Sequence, residues 1–280
     1  MSAVSTCPTI WLNGDLRAAD AAISIHDRGL LLGESVFETI LVKNQVPQFW
    51  TAHLARLQAA CKTFELACPY NAAGLRDGVL ALLAAQTIPR RGVLRITITG
   101  GAGGRGLVAG QAAAPNVIMQ IGEAPPHKPA LQLADCTVRR MAGADSTAHK
   151  TGTYIDNIMA RRQALKAGAD EAVMMNQHGR IACAAAGNLF VAQGDTLITP
   201  PVSEGALPGI IRAALLDINE IDGMRIEEAA IEMATLHASP AIFITNSLNG
   251  VAAAAYIAAT EAQKKQGLAL NEALPEFDKF

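Results

Sequence analysis

Four strand-like runs crowd between residues 171 and 199, at 171–175, 181–184, 189–192 and 197–199. NQHG joins the first two, and a run of small residues joins the next pair. Joints this short cannot hold the crossover helix that parallel neighbours require. This part of the chain is therefore not built from regular βαβ units. Within it, GRIACAAAGNLF (179–190) is the sharpest constraint. Positions 182–187 read Ala-Cys-Ala-Ala-Ala-Gly, all small and uncharged. Such a stretch either packs tightly in a core or lets something large come close to the backbone.

The rest of the chain sets the frame. Of its 280 residues 50% are hydrophobic, enough for a sizeable core in one large or two medium domains. Aromatics are only 4%, which favours close-packed helices over a core of large rings. Asn13-Gly14, between Trp11-Leu12 and Leu16, is a hairpin signal. Residues 36–42 and 46–50 read as strands paired about Lys43-Asn44-Gln45. Thr51 is the expected N-cap of a helix with Leu54, Leu57, Cys61 and Phe64 on one face and Arg56 on the opposite, solvated side. Asn71 is expected to cap a second helix that stops before Pro89. Residues 93–99 and 117–121 read as strands about a glycine-rich loop. EAPPHKP (123–129) is the expected linker between a small domain (1–122) and a larger one (130–280). The larger one begins with a strand at 131–139 and a helix at 154–167. Beyond the crowded strands it has a helix from Ile210 and a strand at 241–245 with its turn at 246–250. The fold class is mixed α/β with two domains.

Several functions are disfavoured. Net charge is −2, and basic residues occur in no run longer than two, so nucleic acid is not an expected partner. No run reaches the ~18–20 apolar residues of a membrane span, and MSAVSTCPTI lacks the features of a signal peptide. The five cysteines (7, 61, 68, 136, 183) are odd in number with no C-x-x-C, which points to the cytoplasm. No metal-ligand spacing is visible among Cys and His.

GAGGRG (101–106) satisfies G-x-G-x-x-G after a strand. The dinucleotide fingerprint needs a helix next, to seat the pyrophosphate. Only about ten residues, with Gly110 and Pro115, precede the next strand, so no crossover helix fits. A hairpin loop remains, or a substrate loop in which Arg105 offers a fork to a carboxylate.

Lys150, in STAHKTGTYIDN, lies between a strand and a helix with Tyr154 four residues on. A lysine there is either a solvated charge or a nucleophile held near its target. LPGIIR (207–212) is a helix start whose first N–H groups make a natural phosphate seat. Asn246-Ser247 could add a hydroxyl and further N–H donors.

Together these pieces resemble the class IV aminotransferases, the fold-type IV pyridoxal-phosphate (PLP) enzymes. The group includes branched-chain and D-amino acid aminotransferases and 4-amino-4-deoxychorismate lyase. DRGLLLGESVFETILV (27–42) looks like the entry motif, HLARL (53–57) the following helix, and KTGTYIDN (150–157) the Schiff-base segment. ADEAVMMNQHGRIACAAAGNLF is similar to the strands that follow, LPGIIR to the phosphate helix, and FITNS (243–247) to the last phosphate turn. The resemblance spans about 11–251 with its motifs in order. It implies a small α+β domain, a larger pseudo-barrel domain, and a homodimer with its sites near the subunit interface. Lys150 would hold PLP as a Schiff base and move the Cα proton, and Tyr154 would bond the ring's phenolic oxygen. Arg56, the N–H groups of Ile210 and Ile211, and Ser247 would bind the phosphate. Phe37, Thr39 and Arg105 would face a small amino acid or its 2-oxo acid. ITGGAGGRGL resembles the lyase loop, with Gly100 where an arginine and Leu107 where a tyrosine are familiar. The family's pyridine-nitrogen glutamate falls at Cys183. A neutral thiol cannot replace that ion pair, so a weaker electron sink is expected. Cys183 as a packed hydrophobe, or as a redox thiol, stays open. An aminotransferase, an aminodeoxychorismate lyase and a catalytically degenerate PLP-fold binding protein are the three readings.

Overall fold

Asn13-Gly14 does form a hairpin turn. Both residues take positive φ (52° and 102°), and β1 (Thr9–Leu12) pairs antiparallel with β2 (Asp15–Ala18) around them. The computed structural model describes residues 9–104, 106–108, 114–221, 223–256 and 261–274. They divide into two units. One holds the residues up to Pro125 together with Lys150–Thr153. The other holds Pro126–His149 and the described residues from Tyr154 on.

In the first unit, α1 (Arg28–Leu32), β3 (Ser35–Lys43), β4 (Val46–Pro47), α2 (Trp50–Thr63), α3 (Ala72–Ala85), β5 (Arg91–Thr99) and β6 (Val117–Glu123) follow the hairpin. The strands form one antiparallel sheet in the order β2-β1-β6-β5-β3-β4. Period-two alternation sends Val36, Ile40, Val42, Leu94, Ile96 and Ile98 to one face, where Leu54, Leu57, Leu75 and Leu82 of α2 and α3 bury them. The opposite face carries Phe37 and Thr39, paired in register with Thr97 and Arg95.

Two local expectations fail here. The partner strand, expected through 50, ends at Pro47. The turn is completed by Phe49 at φ 53°, which is the N-cap position of α2. Thr51 therefore sits inside the helix and caps nothing. Asn71 is a true cap, its side chain accepting from the Gly74 N–H at 2.9 Å.

The second unit runs β7 (Ala130–Arg140), α4 (Asp145–Ala148), α5 (Ile155–Lys166), β8 (Glu171–Asn176), β9 (Ile181–Ala184), β10 (Asn188–Gln193), β11 (Thr196–Thr199), α6 (Ile210–Ile218), β12 (Glu220–Ile221), β13 (Met224–Glu228), α7 (Met233–Ala238), β14 (Ile242–Asn246), β15 (Gly250–Ala255) and α8 (Glu261–Glu272). Its described strands form a mixed sheet in the order β12-β13-β11-β10-β14-β15-β7-β8-β9. Small side chains govern its packing. Ala160 and Ala164 of α5 close on Ala172, Met174, Ala182, Cys183 and Ala185. Ala182 and Ala185 thus bring a helix tight against the sheet, a role in the core.

Residues 150–153, expected with the larger domain, group with the first unit because they run along the start of β3. The Phe37 N–H donates to the Lys150 carbonyl (2.9 Å), the Gly152 N–H donates to Ser35 (2.8 Å), and Val36 bridges Thr151.

Candidate active site

That anchoring fixes Lys150. Its Nζ lies 4.3 Å from the centre of the Phe37 ring. The Arg95 guanidinium lies 3.7 Å from the same ring, and its Nε donates to Thr97 Oγ1 at 3.3 Å. Cations are drawn to the negative face of an aromatic ring. Lys150, Phe37, Thr39, Arg95 and Thr97 thus assemble around the sheet face that α2 and α3 leave uncovered. Arg95 is exposed and is absent from the sequence-derived site residues. Its in-register pairing with Thr39 is the signal that could have found it. Arg105 lies outside the described residues.

On the helix-facing side, alternation places Glu38 in the core, 1% exposed. A bare carboxylate there would be very unfavourable. Two residues of α2 resolve it. Arg56 forks onto Glu38 through Nε and Nη2, both at 2.7 Å, and His53 Nδ1 donates to Oε2 at 2.7 Å. Burial alone would raise the Glu38 carboxyl, but these bonds and charges outweigh it and hold it down at about 2. Burial likewise lowers the His53 imidazole, against the pull of Glu38. His53 is thus a neutral donor, and its Nε2 is buried with no hydrogen-bond partner. The expected solvated Arg56 is corrected: its side chain is 10% exposed and belongs to this ion pair. Any anion Arg56 also binds must meet the other edge of its guanidinium.

In the second unit the small-residue stretch becomes a tied turn. The Ala184 N–H donates to the Gly187 carbonyl (2.9 Å) and the Ala185 N–H to Ala172 (3.0 Å). Asn157 Nδ2 donates to the Ala185 carbonyl at 2.7 Å, and Asn246 Nδ2 to that of Ala186 at 3.2 Å. Gly187 abuts β14, where an added Cβ would sit 2.6 Å from the Thr245 carbonyl. Asn188 pairs with Thr245, donates to the Leu207 carbonyl at 2.8 Å, and lies where a Cβ on Gly209 would collide with it. One short turn therefore joins the entry of α6 to the end of β14. Gly209 precedes α6 without a side-chain cap, so the first N–H groups, including those of Ile210 and Ile211, point out of the helix end. Thr245 Oγ1 is buried without a hydrogen-bond partner, and Ser247 is half-buried in the next turn.

Cys183 is 4% exposed and packed with Cys136 and Met174. Burial pushes its thiol up to about 11, against the opposing influence of Arg140. Glu171 is equally buried, but Arg161 Nη1 (2.6 Å) and the Ala172 N–H (3.0 Å) occupy its carboxylate. Tyr154 is half-buried at the N-cap position of α5. A separate cavity of about 450 Å³ opens beside the end of α2 and is lined by Cys61, Cys68, Tyr70 and neighbours. None of its lining residues is a sequence-predicted site residue. Among the described residues no cluster of three or more His, Cys, Asp and Glu could hold a metal ion, and no helix is long and apolar enough to cross a membrane.

A family model for the amino-transferase class IV family matches residues 35–257. The chain belongs to the class IV aminotransferase family. These are PLP-dependent enzymes. A Methanocaldococcus jannaschii protein, provisionally assigned as a branched-chain-amino-acid aminotransferase, is 28% identical over 85% of this chain and 84% of its own length. The aminodeoxychorismate lyase of Bacillus subtilis is 25% identical over 85% and 84%. In fold, the chain is similar to the T.th. branched-chain amino acid aminotransferase complexed with N-(5'-phosphopyridoxyl)-L-glutamate. The TM-score is 0.84 at 21% identity, covering 96% of this chain and 93% of that one. The mixed α/β class IV architecture is thereby shown, with both aminotransferases and lyases among the relatives.

Each unit offers groups that suit PLP. The orphaned Thr245 hydroxyl and the uncapped α6 entry suit a phosphate dianion. The lysine beside Phe37 suits an aldehyde. Cys183, held neutral by burial, adds no ionised group to this set.

Proposed function

We propose that the protein is a PLP-dependent aminotransferase acting on a small amino acid/2-oxo acid pair, with Lys150 as its catalytic residue. The observation that carries this is the anchored Lys150 Nζ beside Phe37, with Arg95 over the same ring. When bound, PLP supplies the electron sink that lets the amino acid's Cα–H bond ionise. Lys150 Nζ would hold the cofactor covalently and, once the amino donor has displaced it, would take up the Cα proton and pass it on to the cofactor rather than back to Cα. The N–H groups of Ile210 and Ile211, the Ser247 hydroxyl and Arg56 bind phosphate, joined by Thr245. Tyr154 donates to the phenolic oxygen. Phe37, Thr39 and Arg105 shape the substrate's place, and Arg95 takes its carboxylate through a guanidinium fork. Cys183 stands at the pyridine nitrogen as a neutral thiol, which leaves a weaker sink than a carboxylate would.

A homodimer is the assembly this reading requires. It is supported by exposed Ile25, Leu30, Leu31 and Leu32 on the first unit, an apolar set a lone subunit would leave in water. The described cysteines are all free thiols, which supports a reducing compartment.

The Bacillus subtilis relative favours a second reading, an aminodeoxychorismate lyase that yields p-aminobenzoate and pyruvate. The two share Lys150 and the proton transfer and part afterwards. A third outcome, a PLP-fold protein without catalysis, would show PLP uptake with no reaction. Borohydride treatment followed by peptide mass should fix PLP on Lys150, and Lys150→Ala should abolish the adduct. A half-reaction screen across amino donors of both hands, with aminodeoxychorismate included, separates the readings. Absence of any PLP adduct in the native protein would sink all three.

A further inference from the structure

The segment 26–34 and the loop 100–108 are built onto one another. Their backbones meet four times: Arg28 N–H to the Gly101 carbonyl (2.8 Å), Gly100 N–H to that of Glu34 (2.8 Å), Gly103 N–H to that of His26 (3.3 Å), and a bridge between Asp27 and Ala102. Asp27, fully buried, accepts from the Gly29 N–H (2.7 Å), Thr99 Oγ1 (2.7 Å) and Asn116 Nδ2 (2.6 Å), which holds the base of the loop. Arg28 reaches further. Its side chain is 3% exposed. Nε pairs with the Glu34 carboxylate, Nη1 donates to the Gly106 carbonyl at 2.9 Å, and Nη2 to that of Leu107 at 2.8 Å. A planar fork that meets a carboxylate and two successive carbonyls fixes both their spacing and their plane.

The glycines of the loop fit this arrangement. A Cβ on Gly103 would come 2.5 Å from Arg28 Cδ, and one on Gly100 would come 2.6 Å from Glu34 Oε2. A side chain at position 100 would therefore run into the anion that Arg28 already holds. Beyond the held carbonyls, Leu107 and Val108 are 88% and 86% exposed.

We propose that Arg28 is a positioning residue for substrate selection. It touches neither substrate nor cofactor; it sets the shape in which the loop presents Leu107 and Val108 as an apolar contact for the substrate side chain. Glu34 orients Arg28. This rests on the reading above that the loop meets substrate.

The test uses the PLP-loaded protein and the variants Arg28→Met, Arg28→Lys and Gly103→Val. Arg28→Met should raise KM for the preferred amino donor about tenfold or more while kcat and PLP affinity stay within about threefold. Hydrogen exchange should quicken in the peptide covering the loop and not in α2 or β3. Arg28→Lys should recover part of the KM, because an ammonium keeps one of the three bonds and loses the fork. Gly103→Val, which presses on the Arg28 stem from the loop, should shift KM the same way even if Arg28→Met folds poorly. Faster loop exchange with unchanged KM overturns the proposal and leaves the PLP reading standing. Unchanged exchange, or PLP affinity falling in step with kcat, also overturns it. Wild type that takes up PLP on Lys150 yet turns over no donor overturns both this proposal and the aminotransferase reading.

Discussion

Glu38 and Cys183 lie on buried strands of different units, and they treat charge in opposite ways. Glu38 is held ionised, its carboxyl down at about 2, by a guanidinium fork and an imidazole N–H. Cys183 is held neutral, its thiol up at about 11, among alanines, a methionine and another thiol. Burial raises both groups, so burial does not decide between them. Partners do. α2 delivers two donors to Glu38 from positions three apart on one helical face, whereas α5 packs the methyls of Ala160 and Ala164 into the cluster around Cys183 and turns the polar groups of Asn157 and Arg161 to Ala185 and Glu171.

If partners decide, removing one should be the most damaging change. Arg56→Leu strips Glu38 of its fork and should lower the stability of the PLP-free protein by about 3–5 kcal/mol, the cost of stranding a buried charge. Urea unfolding measures it. A loss below about 1 kcal/mol would mean water reaches Glu38 and the contrast is false.

The titration of the wild-type protein sharpens the same point. The folded Glu38 carboxyl lies below its unfolded value of 4.5. Its contribution is complete above that value and is lost as pH falls through about 2. Two and a half pH units correspond to about 3 kcal/mol. His53 acts in the same sense at milder pH. Its folded value is lowered, so its contribution is present above the unfolded value of 6.5 and is lost as pH falls below it. Stability should thus decline on acidification in two stages, and Glu38→Gln should remove the lower one. Cys183 should contribute nothing across this range, because it stays protonated in both states.

Introducing a charge at Cys183 inverts the experiment. Cys183→Glu places a carboxylate among alanines, and the PLP-free protein should lose about 2 kcal/mol or more. If Cys183 faces the pyridine nitrogen, PLP should restore most of that loss, and the bound cofactor's spectrum should shift with protonation of the ring. A loss that PLP does not repair would place Cys183 away from the ring.

The contrast is unevenly legible in the sequence. The hairpin at Asn13-Gly14, the Asn71 cap and the crowded strands are readable because each is a local signal that tertiary packing left alone. Arg56 reads as solvated because its partner, Glu38, is eighteen residues away on a strand, and helix periodicity alone cannot reveal a buried anion opposite. Period-two alternation in SVFETILV does place Glu38 on the same face as Val36 and Ile40, which is enough to demand a cation. Thr51 is a residue of the right type for a cap, but the positive φ at Phe49 moves the helix start to an earlier residue. β13 and α7 each carry only two periodic apolar residues, Met224 and Ile226, and Met233 and Leu236, and α4 carries none, too little to read as an element. The partner that would show what Cys183 faces is not written in its neighbours at all, since an alanine-rich turn reads alike in a core and beside a ring.

Cys183→Ala is the smallest of these changes and bears most directly on that ambiguity. If Cys183 is only a packed group, the variant loses one sulfur's worth of contact. The cost should be about 1 kcal/mol or less, because the surrounding alanines leave little strain to relieve and α5 can settle by a fraction of an ångström. PLP affinity, the cofactor spectrum and the half-reaction rate should then match wild type. If the thiol bonds the pyridine nitrogen, stability should change just as little, but the spectrum and the rate of Cα proton transfer should move together. Stability alone therefore cannot distinguish the two roles, and the paired readings can. A spectrum that moves while stability holds would make Cys183 the counterpart of Glu38 in function as well as in burial, a neutral group kept neutral so that the ring nitrogen stays unprotonated.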